Sequence, residues 1–430
     1  MSPTFRALRN RNYRLYASGG VVSNTGTWMQ RIAQDWLVLQ LSPHGQVSTN
    51  VGITTGLQFL PMLLFSAYGG LIADRFPKRR MLQLTQGWLA MSAAILGLIA
   101  VTGVARTWMV FALAFVFGIG TAFDAPTRQS FVSEMVGPDD LTNAVGLNSA
   151  TFNLARIVGP AIAGFLIAAL GSGVHAAGVV ILTNAVSYLA VITALQRMRT
   201  VELATVERAP RGKGMIRDGL RYVRGRPDIM LILAVVFFAG TFGMNFQMTS
   251  VLMATQVYHK GAGEYGLLGT CMAVGSLSGA LLGARRVGKP RQRLVVIAAV
   301  LFGSAEIVAG LMPSYVAFAV AVPLIGVTAM TMTNAANTSV QLTSNPLMRG
   351  RVMALYMMIF MGGTPIGAPI VGWVGSTFGA RWMLFGGGGI TILGTLLAVL
   401  LFSRAGKIEM PHVRATALAL AGRGTGSERP

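Results

Sequence analysis

Apolar residues come in long runs along this chain, and short polar links separate most of them. A helix rises about 1.5 Å per residue, so about 20 apolar residues cross the roughly 30 Å hydrocarbon core of a bilayer. The pattern predicts twelve spanning helices, at 12–41, 48–73, 82–103, 107–127, 142–170, 175–196, 229–256, 264–287, 292–312, 314–338, 350–376 and 381–403. Span 1 is unusually long and contains Arg31 and Asp35. The stretch 197–228 is too charged to cross and reads as a linker, with a short amphipathic helix expected at 216–223. Beyond 404 the chain is basic, rich in Ala and Gly, and expected to be disordered. The layout is therefore a six-helix bundle over 1–196, a linker over 197–228, a second six-helix bundle over 229–403 and a tail over 404–430.

Composition agrees with the pattern. Charged residues make up 11% of the chain and apolar ones 53%, against roughly 25% charged in a soluble domain. The expected class is an all-α membrane protein. No cleavable signal peptide is recognisable in the first residues, which carry Arg6, Arg9 and Arg11 without an apolar core. The net charge of +21 would suit nucleic acid, but its distribution does not. With the spans so placed, only Arg106, Lys260 and Arg381 lie on one side, Arg31 and Arg156 lie inside spans, and every other Lys and Arg lies on the opposite side. That asymmetry puts both termini and the linker in the cytoplasm. The basic surface then meets anionic lipid head groups rather than a duplex. The single cysteine, Cys271, excludes an intrachain disulfide or a cysteine metal cluster. The four histidines fall in links or the tail, and no His-Glu-x-x-His, Gly-x-Ser-x-Gly or Gly-x-x-x-x-Gly-Lys-Ser/Thr motif occurs. An enzyme, an ATP-driven pump, a metal and a cofactor are all unexpected.

The halves repeat. Gly118 in span 4 aligns with Gly326 in span 10, and Gly159 and Gly164 in span 5 align with Gly367 and Gly372 in span 11, at a constant offset. Such duplicated halves place a binding site at their interface near the membrane midplane.

The link between spans 2 and 3 reads Gly69-Gly70-Leu71-Ile72-Ala73-Asp74-Arg75-Phe76-Pro77-Lys78-Arg79-Arg80. Gly70 and Asp74 share one helical face. The glycine admits a neighbouring helix, and the carboxylate can meet an arginine or a facing helix N-terminus. Gly70, Asp74, Arg75, Arg79 and Arg80 resemble motif A of the major facilitator superfamily, with Pro77 where a glycine is usual. Val158-Gly159-Pro160-Ala161-Ile162-Ala163-Gly164 resembles motif C of its drug/proton antiporters. The runs 26–39, 123–131 and 141–160 look like the branch that holds enterobactin-type siderophore exporters and macrolide-efflux proteins. The resemblance implies the major facilitator fold, twelve helices in two pseudo-symmetric halves, a monomer in a bacterial inner membrane, and export of small amphipathic molecules against an inward proton flow. Alternatives on the same fold are a lipid or metabolite flippase and a transport-dead sensor.

Charges inside a bilayer cost about 2.5–3.5 kcal/mol each on insertion scales, so they are functional candidates. Asn24, Trp28, Arg31 and Asp35 form one stripe of span 1. In the superfamily that helix lines the cavity with helices 4, 7 and 10. Asp35 could take up and release a proton. It could equally form a self-neutralising i,i+4 pair with Arg31, or lie at the outer water interface. Phe238, Phe242 and Asn245 of span 7, and Asn334 and Asn337 of span 10, are expected on the opposite wall, with helix packing as the alternative for many of them. Asp124 and Arg128 form an expected ion pair near motif A. Arg156 lies deep in span 5 with Asp124 as a candidate partner, and Glu306 of span 9 is expected to be structural or interfacial. Many drug antiporters carry an arginine in helix 4 where this chain has Ala114. Proton coupling must then use other groups, Asp35 first.

Overall fold

The computed structural model describes residues 3–43, 45–204, 215–284, 292–345 and 348–404. Gly70, Asp74 and Arg75 fall in a helix whose side chains there lie outside the described residues, as does the expected disordered tail beyond Arg404. The spanning helices are α1 (Arg11–Leu41), α2 (Val47–Arg75), α3 (Lys78–Val101), α4 (Thr107–Met135), α5 (Pro138–Ala169) and α6 (Val174–Gln196). After a linker helix (Met215–Arg224) come α7 (Pro227–Val257), α8 (Ala262–Ala284), α9 (Gln292–Leu311), α10 (Tyr315–Thr343), α11 (Arg349–Phe378) and α12 (Ala380–Arg404). No strand occurs among the described residues.

Among the described residues, ten helices are long and apolar enough to cross a membrane. The remaining two, α1 and α2, have the length. α1 is too polar because it buries Asn12, Gln30, Gln34 and Asp35 against protein rather than lipid. Local chemistry sets the ends. The Asn10 side chain accepts from the Tyr13 N–H at the start of α1, and Ser314 accepts from the Ala317 N–H at the start of α10. Pro138, Asp139 and Asp140 occupy the first turn of α5, where proline needs no donor and acids face the positive helix end.

The duplicated glycines make equivalent contacts in the two halves. A β-carbon on Gly118 would strike the carbonyl oxygen of Gln58 in α2; one on Gly326 would strike that of Met272 in α8. Gly159 packs on Trp28 of α1, and Gly367 packs on Thr241 of α7. Two further glycines carry the symmetry across the interface. A β-carbon on Gly164 would lie 3.0 Å from the α-carbon of Gly266 in α8, and one on Gly372 would lie 3.2 Å from that of Gly52 in α2. Each half thus docks its α5 or α11 onto the α8 or α2 of the other.

Those contacts gather at one end of the bundle. The start of α1, the end of α12 and the linker helix lie at the opposite end. Three hydrogen bonds among the described residues cross between the halves. Thr49 pairs with Ser376 at 2.8 Å, Thr270 donates to the Ile157 carbonyl at 2.9 Å, and Tyr265 donates to Asp35 at 2.8 Å. All three lie between the middle and the far end, so this conformation is sealed at the far end.

α7 is not one regular helix. A π-helical turn at Ala239–Gly243 is followed by non-helical Met244 and Asn245, then by Phe246–Leu252 and a second π-helical turn at Met253–Val257. The Asn245 amide donates to the Thr241 carbonyl at 2.9 Å and so satisfies a backbone group freed by the break.

Candidate functional site

A cavity of about 240 Å³ lies between the halves, beneath the sealed end. α1 contributes Trp28 and Ile32, and α5 contributes Arg156 and Pro160. The α7 break contributes Met244, Phe246, Gln247 and Ser250, and α8 contributes Tyr265 and Met272 among others. The lining is mainly apolar with a few polar groups, as ligand sites are. Met244 and Met272 are adaptable in shape.

Trp28 is fixed by packing over Gly159, and its ring meets Phe152 edge-on at 5.8 Å. One turn before it, Asn24 is half-buried. Arg31 stacks on the Trp28 ring at 4.7 Å and lies 5.7 Å from the Phe59 ring of α2. Its Nε is buried without a hydrogen-bond partner, and it makes no ion pair with Asp35 among the described residues. Asp35 is 8% exposed and takes the Tyr265 hydroxyl across the interface. Neither the i,i+4 pair nor the outer-water position considered for Asp35 describes this arrangement.

Arg156 lines the cavity, and its Nε and Nη2 are buried without hydrogen-bond partners. Asp124 is occupied elsewhere. Its Oδ1 accepts from Thr85 and from Gln86, each at 2.8 Å, and its Oδ2 accepts from Arg128 at 3.1 Å. Removing this carboxylate would leave Arg128 and two donors without their acceptor inside the first half. Breaking such a buried pair costs about 3–5 kcal/mol. Asp124→Ala should therefore lower the unfolding temperature of the purified protein markedly; an unchanged thermal midpoint would show that the network contributes nothing to stability.

At the basic end Arg79 donates to the carbonyls of Leu195 and Gln196 and so closes the end of α6, while Arg80 is exposed. Lys78 pairs with Glu134. Pro160 and Gly164 lie on the face of α5 that docks on α8, while Gly159 faces Trp28 of α1.

The residues expected on the second wall are dispersed. Phe238 packs on Gly394 of α12, and Phe242 places its carbonyl against Gly387. Asn245 braces the break in its own helix. Asn334 faces Gly283 of α8, and Asn337 accepts from Gln341 at 2.7 Å. Phe238 and Asn245 share a stripe only on a continuous α-helix; a π-helical turn adds a residue and rotates everything after it by about 100°. Glu306 is 2% exposed, beside Gly243 and Phe302, with no partner for its Oε2 among the described residues. Tyr265, Thr85 and Gln86 escaped the sequence reading. Thr85 and Gln86 looked like ordinary span residues, and Tyr265 had only its glycine-rich setting as a signal.

The profile of the transmembrane secretion effector family matches residues 2–418. The multidrug efflux pump Tap of Mycolicibacterium fortuitum is 26% identical over 82% of this chain and 86% of that protein. The enterobactin exporter EntS of Escherichia coli strain K12 is 23% identical over 88% of each chain. Macrolide efflux protein A of Streptococcus pyogenes is 22% identical over 77% of this chain and 82% of its own length. Among solved structures, a bacterial homologue of the lysosomal transporter Spinster, inward-facing and occupied, superposes with a TM-score of 0.69 at 17% identity, covering 92% of this chain and 97% of that one. A bacterial homologue of the iron transporter ferroportin, inward-facing, gives 0.68 at 15% identity, covering 93% and 99%.

Proposed function

This chain belongs to the transmembrane secretion effector family of the major facilitator superfamily, and from that premise we propose that it is a secondary transporter exporting small amphipathic molecules by alternating access. It is a multi-pass membrane protein and not an enzyme. One observation carries the proposal: a cavity between two pseudo-symmetric halves, sealed at one end by glycine contacts and three hydrogen bonds. Efflux relatives of drug, siderophore and macrolide type support the direction.

The finer reading places both termini and the linker in the cytoplasm of a bacterial cell, because basic residues cluster with them. The conformation is then inward-facing, with the sealed end outside. Trp28, Arg31 and Asn24 belong to the substrate side of α1. Motif A, through Gly70, Asp74, Arg75, Arg79 and Arg80, and the Asp124–Arg128 pair control the inner end. Asp35 carries the proton: sealing the outer end removes it from water, which costs less for a neutral carboxyl than for a charged one. A proton taken from outside then accompanies closure, and its release inside frees the carrier to reopen outward, the order an antiporter needs. The protein works as a monomer among lipids.

Inside-out vesicles holding the protein, with an acidic lumen, should accumulate at least one compound from a panel of drugs and siderophores, and a protonophore should abolish the gain. Accumulation that ignores the gradient would refute the coupling, and none for any compound would refute export.

A further inference from the structure

We propose that the cavity between the halves binds an acidic group of its substrate through Arg156, so that the exported molecule is an amphipathic anion. This rests on the export reading and adds the charge of the cargo. Arg156 stands one turn before Pro160 on α5, in the cavity wall, with Nε and Nη2 buried and unpartnered. No carboxylate is among the cavity-lining residues. The acids nearby in the fold are engaged or remote. Asp35 takes the Tyr265 hydroxyl, Asp124 takes Thr85, Gln86 and Arg128, and Glu306 sits beside Gly243 within the second half.

A second guanidinium, that of Arg31, stacks on Trp28, itself a lining residue. Two half-buried cations with one hydrogen-bonded carboxylate near them leave the site positive. A buried charge without a counter-charge is expensive, and a guanidinium fork is matched in shape by a carboxylate or another oxyanion. An entering acid would supply the missing acceptor. The rest of the wall then suits an aromatic or aliphatic body: Trp28, Ile32, Pro160, Met244, Phe246 and Met272. A cationic substrate would instead meet Arg156 directly and add charge of the same sign.

Fluorescein and rhodamine 6G share a xanthene ring and differ in charge, the first a dianion and the second a cation at pH 8. Their binding to the purified full-length protein can be compared by fluorescence polarisation, without a gradient. The parent should hold fluorescein at least about tenfold more tightly. Arg156→Gln should weaken fluorescein about ten- to hundredfold, the range of a hydrogen bond to a charged group, and leave rhodamine 6G unchanged or tighter. Arg156→Lys should keep the anion preference in reduced form. Equal or stronger binding of rhodamine 6G by the parent, binding of neither dye, or equal weakening of both dyes in Arg156→Gln would overturn the proposal. If Arg156→Gln does not fold, the parent's preference and the Arg156→Lys result decide it. An anion preference in a protein that fails to accumulate anything in vesicles would sink the export reading and leave only the anion-binding role of Arg156 standing.

Discussion

Asp35→Asn is expected to reduce gradient-driven accumulation in inside-out vesicles to the level seen without a gradient, while ligand binding to the purified protein persists. Asparagine is nearly isosteric and still accepts the Tyr265 hydroxyl, so the 2.8 Å contact that helps seal the far end survives. What disappears is the group that can exchange a proton. Tyr265→Phe separates the two roles: it removes the hydrogen bond and keeps the carboxylate, so transport should slow and remain gradient-dependent. Parent-like accumulation by Asp35→Asn would make Asp35 a structural residue and move the search to Asp124 or Glu306.

The second large effect concerns closure. Gly164→Leu should abolish export by preventing the far end from sealing. A β-carbon there would lie 2.6 Å from the Ala262 carbonyl oxygen and 3.0 Å from the Gly266 α-carbon, and both are backbone atoms that cannot rotate away. Overpacking of this kind costs about 1–3 kcal/mol, which shifts the ratio of sealed to unsealed protein about five- to hundredfold. The readout is a cysteine at Ser250, in the cavity wall, in a Cys271→Ser background, exposed to a membrane-impermeant maleimide in intact cells. The parent should label slowly and Gly164→Leu at least about fivefold faster. Equal slow rates would show that Gly164 does not govern closure; labelling of the parent as fast as that of an open site would overturn the orientation.

Much of this architecture was legible in the sequence because a bilayer demands long apolar helices. Hydropathy finds the apolar centre of a helix better than its end. Span 4 was expected to stop at 127, yet α4 runs on to Met135 and so holds Arg128 one helical turn from Asp124. The polar stripe of α1 was visible from its spacing. What its members touch was not, because Tyr265 arrives from a helix 230 residues away in sequence. Similarly, the spacing of Phe238, Phe242 and Asn245 assumed a regular helix, and the π-helical turn at Ala239–Gly243 dispersed them. The glycine repeat carried more than its periodicity suggested, since equivalent glycines mark equivalent helix contacts within and between the halves.

The three hydrogen bonds across the interface also weigh on how populated the opposite state is. At about 0.5–1.5 kcal/mol each they contribute about 2–4 kcal/mol to the sealed form. An equilibrium biased that far keeps the other conformer at roughly 0.1–10% of molecules, present before any cargo arrives. A cargo or proton that prefers one conformer by about ten- to thousandfold is then enough to even the two populations. The carrier needs no strong push in either direction; a modest preference at the cavity decides which side of the membrane it faces.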